Sequence, residues 1–89
     1  MAGERSQEIE RRVIALVAKQ AGTSDVEITR ATHFRDDLNF DSLDFIELTM
    51  AIEIEFDISV PDTEAEHLQT VGEVVDYAAE RLKVSAGEE

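Results

Sequence analysis

Apolar residues recur along this chain at helical rather than strand spacing. Ile9, Val13, Leu16 and Val17 share one face, with Gln20 beside them, which predicts a helix over about Gln7–Ala21. Ser6 precedes it as a candidate N-cap, and Gly22 follows as a natural stop, since glycine accepts the left-handed conformation just past a helix end. A long connection from Thr23 to Asp41 comes next, with Val26, Ile28, Phe34 and Leu38 as anchors to a core. Connections of that length in a small domain are functional or disordered, and the four anchors favour order. A second helix is predicted over Ser42–Phe56 and a short third one near Thr63–Leu68, introduced by Pro61 and Asp62. The capping-box sequence Thr70-Val71-Gly72-Glu73 opens a fourth, whose stripe is Val74, Val75, Ala78 and Leu82. Ile58-Ser59-Val60 is too short and isolated to build a sheet. The expected fold is all-α, one domain over residues 1–89, a small bundle of three longer helices and one short one. Residues 1–5 and 84–89 carry little pattern and read as frayed tails.

The second helix has more apolar surface than one core can use. Projected at about 100° per residue, Phe45, Leu48, Thr49, Ile52 and Phe56 gather on one side, the expected core stripe. Leu43, Ile46, Met50 and Ile54 lie on roughly the opposite side, among Glu47, Glu53 and Asp57. Loop residues such as Phe34 or Phe40 covering that second face would be the plain structural explanation. An apolar centre with an acidic rim is also the layout of a docking surface, and methionine suits a surface that adapts to several partners. The docking reading is preferred.

Composition narrows the chemistry. The 89 residues carry 21 acidic and 8 basic side chains, a net charge of −13, which argues against nucleic-acid backbones and anionic membrane surfaces and for partners with basic patches. No Lys or Arg occurs between Arg35 and Arg81, whereas fourteen acids fall from Asp36 to Glu80. The absence of cysteine excludes a disulfide framework, a thiolate metal site and a protein-borne thiol nucleophile. No apolar run reaches membrane-spanning length and no signal-peptide core is visible at the start, so the expectation is a soluble, cytoplasmic, monomeric protein.

Ser42 stands in Asp41-Ser42-Leu43-Asp44, between a loop and the two-faced helix. The run Asp37-Leu38-Asn39-Phe40-Asp41-Ser42-Leu43-Asp44 resembles the phosphopantetheine attachment site of the acyl carrier protein family. The resemblance continues through Glu47-Leu48, Met50-Ala51, Glu53, Glu55-Phe56, Pro61-Asp62, Glu64-Ala65-Glu66, Thr70-Val71 and Asp76-Tyr77. The serine tripeptide alone is weak; the register over some forty residues is strong. It implies an acyl-carrier-like bundle whose Ser42 receives 4′-phosphopantetheine from coenzyme A, joined by a separate phosphopantetheinyl transferase using Mg²⁺. It further implies a protein that carries acyl thioesters to acyl-transferring and acyl-modifying enzymes of fatty acid, polyketide or other lipid synthesis, and is not itself an enzyme. Asp41, Leu43, Asp44, Ile46, Glu47, Met50, Glu53 and Asp57 then form the docking face. Phe34, Phe45, Leu48, Ile52, Ala65, Leu68 and Tyr77 would line an acyl cavity. Four departures bear on partner and cargo: Asn39 for a usual glycine, Phe40 for a smaller residue, Phe45 for a small or hydroxyl side chain, and Ile54 within an acidic cluster. Asparagine is the best non-glycine occupant of a left-handed position, so the turn before Ser42 survives.

Other readings fit less well. Asp37, Asn39 and Asp41 follow the opening of a calcium-binding EF-hand loop, but Ser42 occupies the glycine position and Leu48 that of the bidentate glutamate. Weak cation binding is all that remains of it. A serine hydrolase needs a base beside Ser42, and nothing in the sequence brings His33 or His67 there. A peptidyl carrier tends to a glycine-rich lead-in and lower acidity. An unmodified acidic helical module explains the two-faced helix but leaves the serine register to coincidence.

Overall fold

The computed structural model describes residues 2–87, with side chains from Gln7 to Leu82. Helix α1 spans Ala2–Ala21. It starts five residues before the predicted Gln7, so Ser6 lies inside the helix and is not its cap. Ala2, Glu4, Arg5, Gln7 and Glu8 are strong helix formers, set against Ser6 at a few tenths of a kcal/mol and Gly3 at about 1 kcal/mol. Ile9, Val13 and Val17 of the predicted stripe are buried and Leu16 is half-buried, while Ala18, outside the stripe, is buried as well. The helix ends in a Schellman arrangement: Thr23 N–H donates to Ala18 O (3.0 Å), Gly22 N–H donates to Lys19 O (3.3 Å), and Gly22 takes φ 73°.

The connection to α2 is ordered, though not by all four expected anchors. Asp25–Glu27 forms one 3₁₀ turn capped by Ser24. That turn points Val26 outward (82% exposed), a correction to its expected core role, while Ile28 and Phe34 are buried and Leu38 packs against them. Backbone bonds hold the loop on the start of the last helix: Phe34 N–H to Gln69 O (3.0 Å), Val71 N–H to Thr32 O (3.0 Å) and Gly72 N–H to Arg30 O (2.8 Å). A Cβ on Gly72 would lie 3.0 Å from that Arg30 carbonyl, so glycine permits the approach.

Helix α2 spans Ser42–Phe56, as predicted, and buries Leu48, Ile52 and Phe56. Helix α3 spans only Asp62–Ala65 and buries nothing. Its predicted extension to Leu68 is corrected to a non-helical turn, with His67 N–H donating to Glu64 O (3.1 Å) and Leu68 N–H to Ala65 O (3.0 Å). Helix α4 spans Val71–Gly87 behind a capping box in which Glu73 accepts from Gln69 and Thr70 N–H and donates its own N–H to Thr70 Oγ1. Residues 2–5 and 84–87 thus continue helices rather than forming patternless tails; Met1, Glu88 and Glu89 lie outside the described residues. Helix α1 packs against both α2 and α4, with Val13, Val17, Leu48, Ile52, Val71 and Val75 fully buried among them. The all-α bundle of three longer helices and one short one is the observed architecture.

Candidate functional site at the start of α2

A serine opening a helix ordinarily caps it, but Asp41 does so here. Asp41 adopts an extended conformation (φ −96°, ψ −175°) and its Oδ1 accepts from Asp44 N–H at 2.8 Å. Asp44 Oδ2 accepts in return from Asp41 N–H at 3.1 Å, closing a capping box made of two aspartates. The Asp44 N–H is the main reason the Asp41 carboxyl is held below its ordinary value, so Asp41 is ionised at neutral pH. Ser42 is thereby displaced to the first helical position. It is exposed, and its hydroxyl makes no hydrogen bond among the described residues. Asp41 and Asp44, expected to face a partner, each commit one oxygen to the cap and keep a second.

The approach to Ser42 is shaped by Asn39, whose φ of 60° is the left-handed geometry expected of it. Its neighbours Phe34 and Phe40 are buried, so neither covers the second face of α2. Leu43 (61%), Ile46 (50%), Met50 (54%) and Ile54 (82%) remain exposed. The acids around them differ in role. Glu47 is exposed and accepts from Gln20 Nε2 at 2.8 Å. Asp57 is exposed and caps the end of α2 in a left-handed conformation. Glu53 is half-buried, and its Oε2 accepts from Val60 N–H at 2.7 Å, closing the turn after α2.

The acidic block is less bare in space than along the chain. Arg12 Nε donates to Glu55 Oε2 at 2.8 Å with its guanidinium over the Phe56 ring, and Arg30 Nη2 donates to both carboxylate oxygens of Asp76 at 3.0 Å. Asp76 is the main cause of the raised Arg30 pKa. Asp41, Asp44, Glu47, Glu53 and Asp57 form no ion pair among the described residues, so the field around Ser42 is not neutralised. The Arg12 and Arg30 pairs join residues more than forty positions apart, and no local spacing signals them.

On the inner side, Phe45 is half-buried, its ring centroid 5.2 Å from that of Phe34, which stacks on Phe40 at 5.7 Å. Leu48 and Ile52 are buried behind it; Ala65, Leu68 and Tyr77 are half-buried. The Tyr77 hydroxyl donates to the Glu64 carboxylate and contacts Ser59 O (3.3 Å), which also accepts from Arg81 Nη2 at 3.1 Å. Burial first, and the Glu64 bond second, push the Tyr77 hydroxyl up to about 12. This tie between α3 and α4 was not foreseen in the sequence. Hollows of about 500 Å³ beside Thr23 and Leu38 and about 570 Å³ beside Gln7 and Val26 open elsewhere, bounded by none of the expected cavity residues.

Asp37, from the calcium-like pattern, accepts from His33 N–H at 2.7 Å, and Asp41 is held in the cap. Among the described residues no three acids or histidines group closely enough to hold a metal ion. His33 Nδ1 accepts from Arg35 N–H (3.2 Å) and Asp36 N–H (3.1 Å), a turn-capping role, and His67 is exposed. No described helix is long and apolar enough to cross a membrane. Compared with known protein families, residues 11–78 match a family model described as a phosphopantetheine attachment site, which covers most of the chain.

Proposed function

Because this chain belongs to the family defined by the phosphopantetheine attachment site, and is a carrier bearing 4′-phosphopantetheine covalently, we propose that Ser42 holds the arm and that the protein delivers acyl groups to biosynthetic enzymes. The observation that carries this reading is the division of labour at α2: Asp41 caps the helix, leaving the Ser42 hydroxyl exposed and unbonded. A helix N-terminus supplies N–H groups without intrahelical partners and a favourable dipole for a phosphodiester, so the site fits the group. When bound, the arm supplies a terminal thiol that carries acyl groups as thioesters, the sulfur chemistry a chain without cysteine lacks.

The chain's own residues then present Ser42 to partners. Leu43, Ile46 and Met50 offer short-range apolar contact, and Asp41, Asp44, Glu47 and Asp57 offer unpaired negative charge, which steers basic enzymes and speeds encounter more than it prolongs residence. Glu53 contributes charge from a fixed position, because its carboxylate also holds the following turn. The partners are a phosphopantetheinyl transferase and acyl-handling enzymes with basic patches, in fatty acid synthesis or a specialised lipid or polyketide pathway. No residue of this chain acts chemically on the cargo, and the working form is a cytoplasmic monomer.

Intact mass before and after incubation with coenzyme A, Mg²⁺ and a broad-specificity phosphopantetheinyl transferase tests the assignment. One phosphopantetheine gained by the wild type and none by Ser42→Ala is the expected result. A gain retained in Ser42→Ala moves the attachment elsewhere; no gain by a folded wild type leaves an unmodified acidic interaction module.

A further inference from the structure

The inner stripe of α2 leads from Ser42 through Phe45 and Leu48 to Ile52, so any group entering the bundle from Ser42 along this helix meets Phe45 first. Helical side chains lean toward the N-terminus, and the ring at Phe45 therefore covers the turn between the serine and the core. Its other side rests on Phe34, with ring planes tilted by 58°, and Phe34 stacks on Phe40 with planes 25° apart. These partners are held by the backbone: Phe34 N–H donates to Gln69 O (3.0 Å) and Phe40 N–H to Phe34 O (2.9 Å). Behind the rings, Leu48 and Ile52 are 0% and 2% exposed. Entry along this path requires the Phe45 ring to leave its contact with Phe34, and the side chains behind it, Leu48 and Ile52, are already packed into the core.

We infer that Phe45 closes the bundle to cargo, so that acyl groups on this carrier stay outside the core. Such a carrier suits short or polar acyl groups, which gain little from apolar shelter, and Phe45 is the residue that sets this preference. The inference rests on Ser42 being the attachment residue.

The test uses acetyl-, hexanoyl- and decanoyl-coenzyme A with the broad-specificity transferase, loading wild type, Phe45→Ala and Phe45→Leu. In loading, the Ser42 oxygen bonds to the phosphorus of the acyl-pantetheine arm as the pyrophosphate of coenzyme A breaks, releasing adenosine 3′,5′-bisphosphate and the hydroxyl proton. Each loaded form is checked by mass, then its melting temperature and its rate of thioester cleavage by neutral hydroxylamine are measured. Wild-type forms are expected to melt within about 1 °C of one another and to be cleaved at similar rates, because no added methylene is buried. With the ring removed, the decanoyl form is expected to melt roughly 4 °C or more above the acetyl form, the order that partial burial of the longer chain gives in a domain of this size. Its cleavage should slow about fivefold or more, since the thioester then reacts chiefly through local opening. Phe45→Leu, which keeps an apolar side chain, provides the same comparison if Phe45→Ala does not fold. A wild-type decanoyl form that is stabilised and protected overturns the inference while leaving the carrier reading intact. So does an absence of protection in every folded variant. Failure of Ser42 to gain mass overturns the carrier reading itself, and this inference with it.

Discussion

Replacing Asp57 with glycine is expected to stabilise this protein while impairing its proposed encounter with partners. Asp57 ends α2 at φ 56° and ψ 49°, where its N–H donates to Glu53 O. An L-residue in this conformation costs roughly 1–2 kcal/mol, with aspartate at the lower end because its short polar side chain tolerates it. Glycine occupies it freely but returns about 0.5–1 kcal/mol in backbone entropy. The carboxylate also stands at the negative end of the helix dipole without an ion-pair partner among the described residues, worth about 0.3–1 kcal/mol against the fold. The net for Asp57→Gly is about 1 kcal/mol of added stability, or roughly 4–8 °C in melting temperature for a domain of this length. Thermal denaturation followed by far-ultraviolet circular dichroism at fixed salt measures it. Asp57→Asn separates the contributions, since asparagine keeps the left-handed tolerance and removes only the charge. A melting temperature for Asp57→Gly equal to or below the wild type refutes the reasoning. If it rises and association with a basic partner enzyme slows, the aspartate is retained for its charge at the expense of stability.

Three other perturbations probe different parts of the structure. Tyr77→Phe removes the hydroxyl bond to Glu64 and should cost about 1 kcal/mol at neutral pH. Because folding raises the tyrosine from about 10 to about 12, its contribution is complete below pH 10 and is lost as pH rises toward 12, so wild type and variant should converge over that interval; a constant difference across it contradicts the tie. Glu47→Lys removes an exposed carboxylate bonded to Gln20, so helical content should hold while acyl transfer with several partner enzymes falls, by up to about tenfold at low salt and less as salt rises. Unchanged rates with every partner tested would remove Glu47 from the docking face. Finally, a net charge of −13 repels itself, and added NaCl or Mg²⁺ should raise the melting temperature; a flat response counts against a crowded acidic surface.

The sequence by itself determined the class of fold, the bounds of α2 and the Thr70–Glu73 cap of α4, because these rest on local periodicity and capping chemistry within a few residues. It also made legible the turn at Asn39, whose side chain tolerates the left-handed region, and the serine register in front of the two-faced helix. At residues 2–5 and 84–87 the helices run on with no apolar stripe to mark them, and the reading stopped short; where a single 3₁₀ turn set the direction of Val26, it put inward a side chain that faces solvent. Tertiary structure decided which acids remain unpaired. Arg12 and Arg30 reach Glu55 and Asp76 across the bundle, and Val60 N–H takes up Glu53, none of which local spacing encodes. It also decided whether Phe34 and Phe40 cover the second face of α2 or fill the interior beside Phe45. They fill the interior, because the backbone bonds from the loop to Gln69 and to Phe34 itself hold the rings against one another, and the outer apolar face is left to solvent.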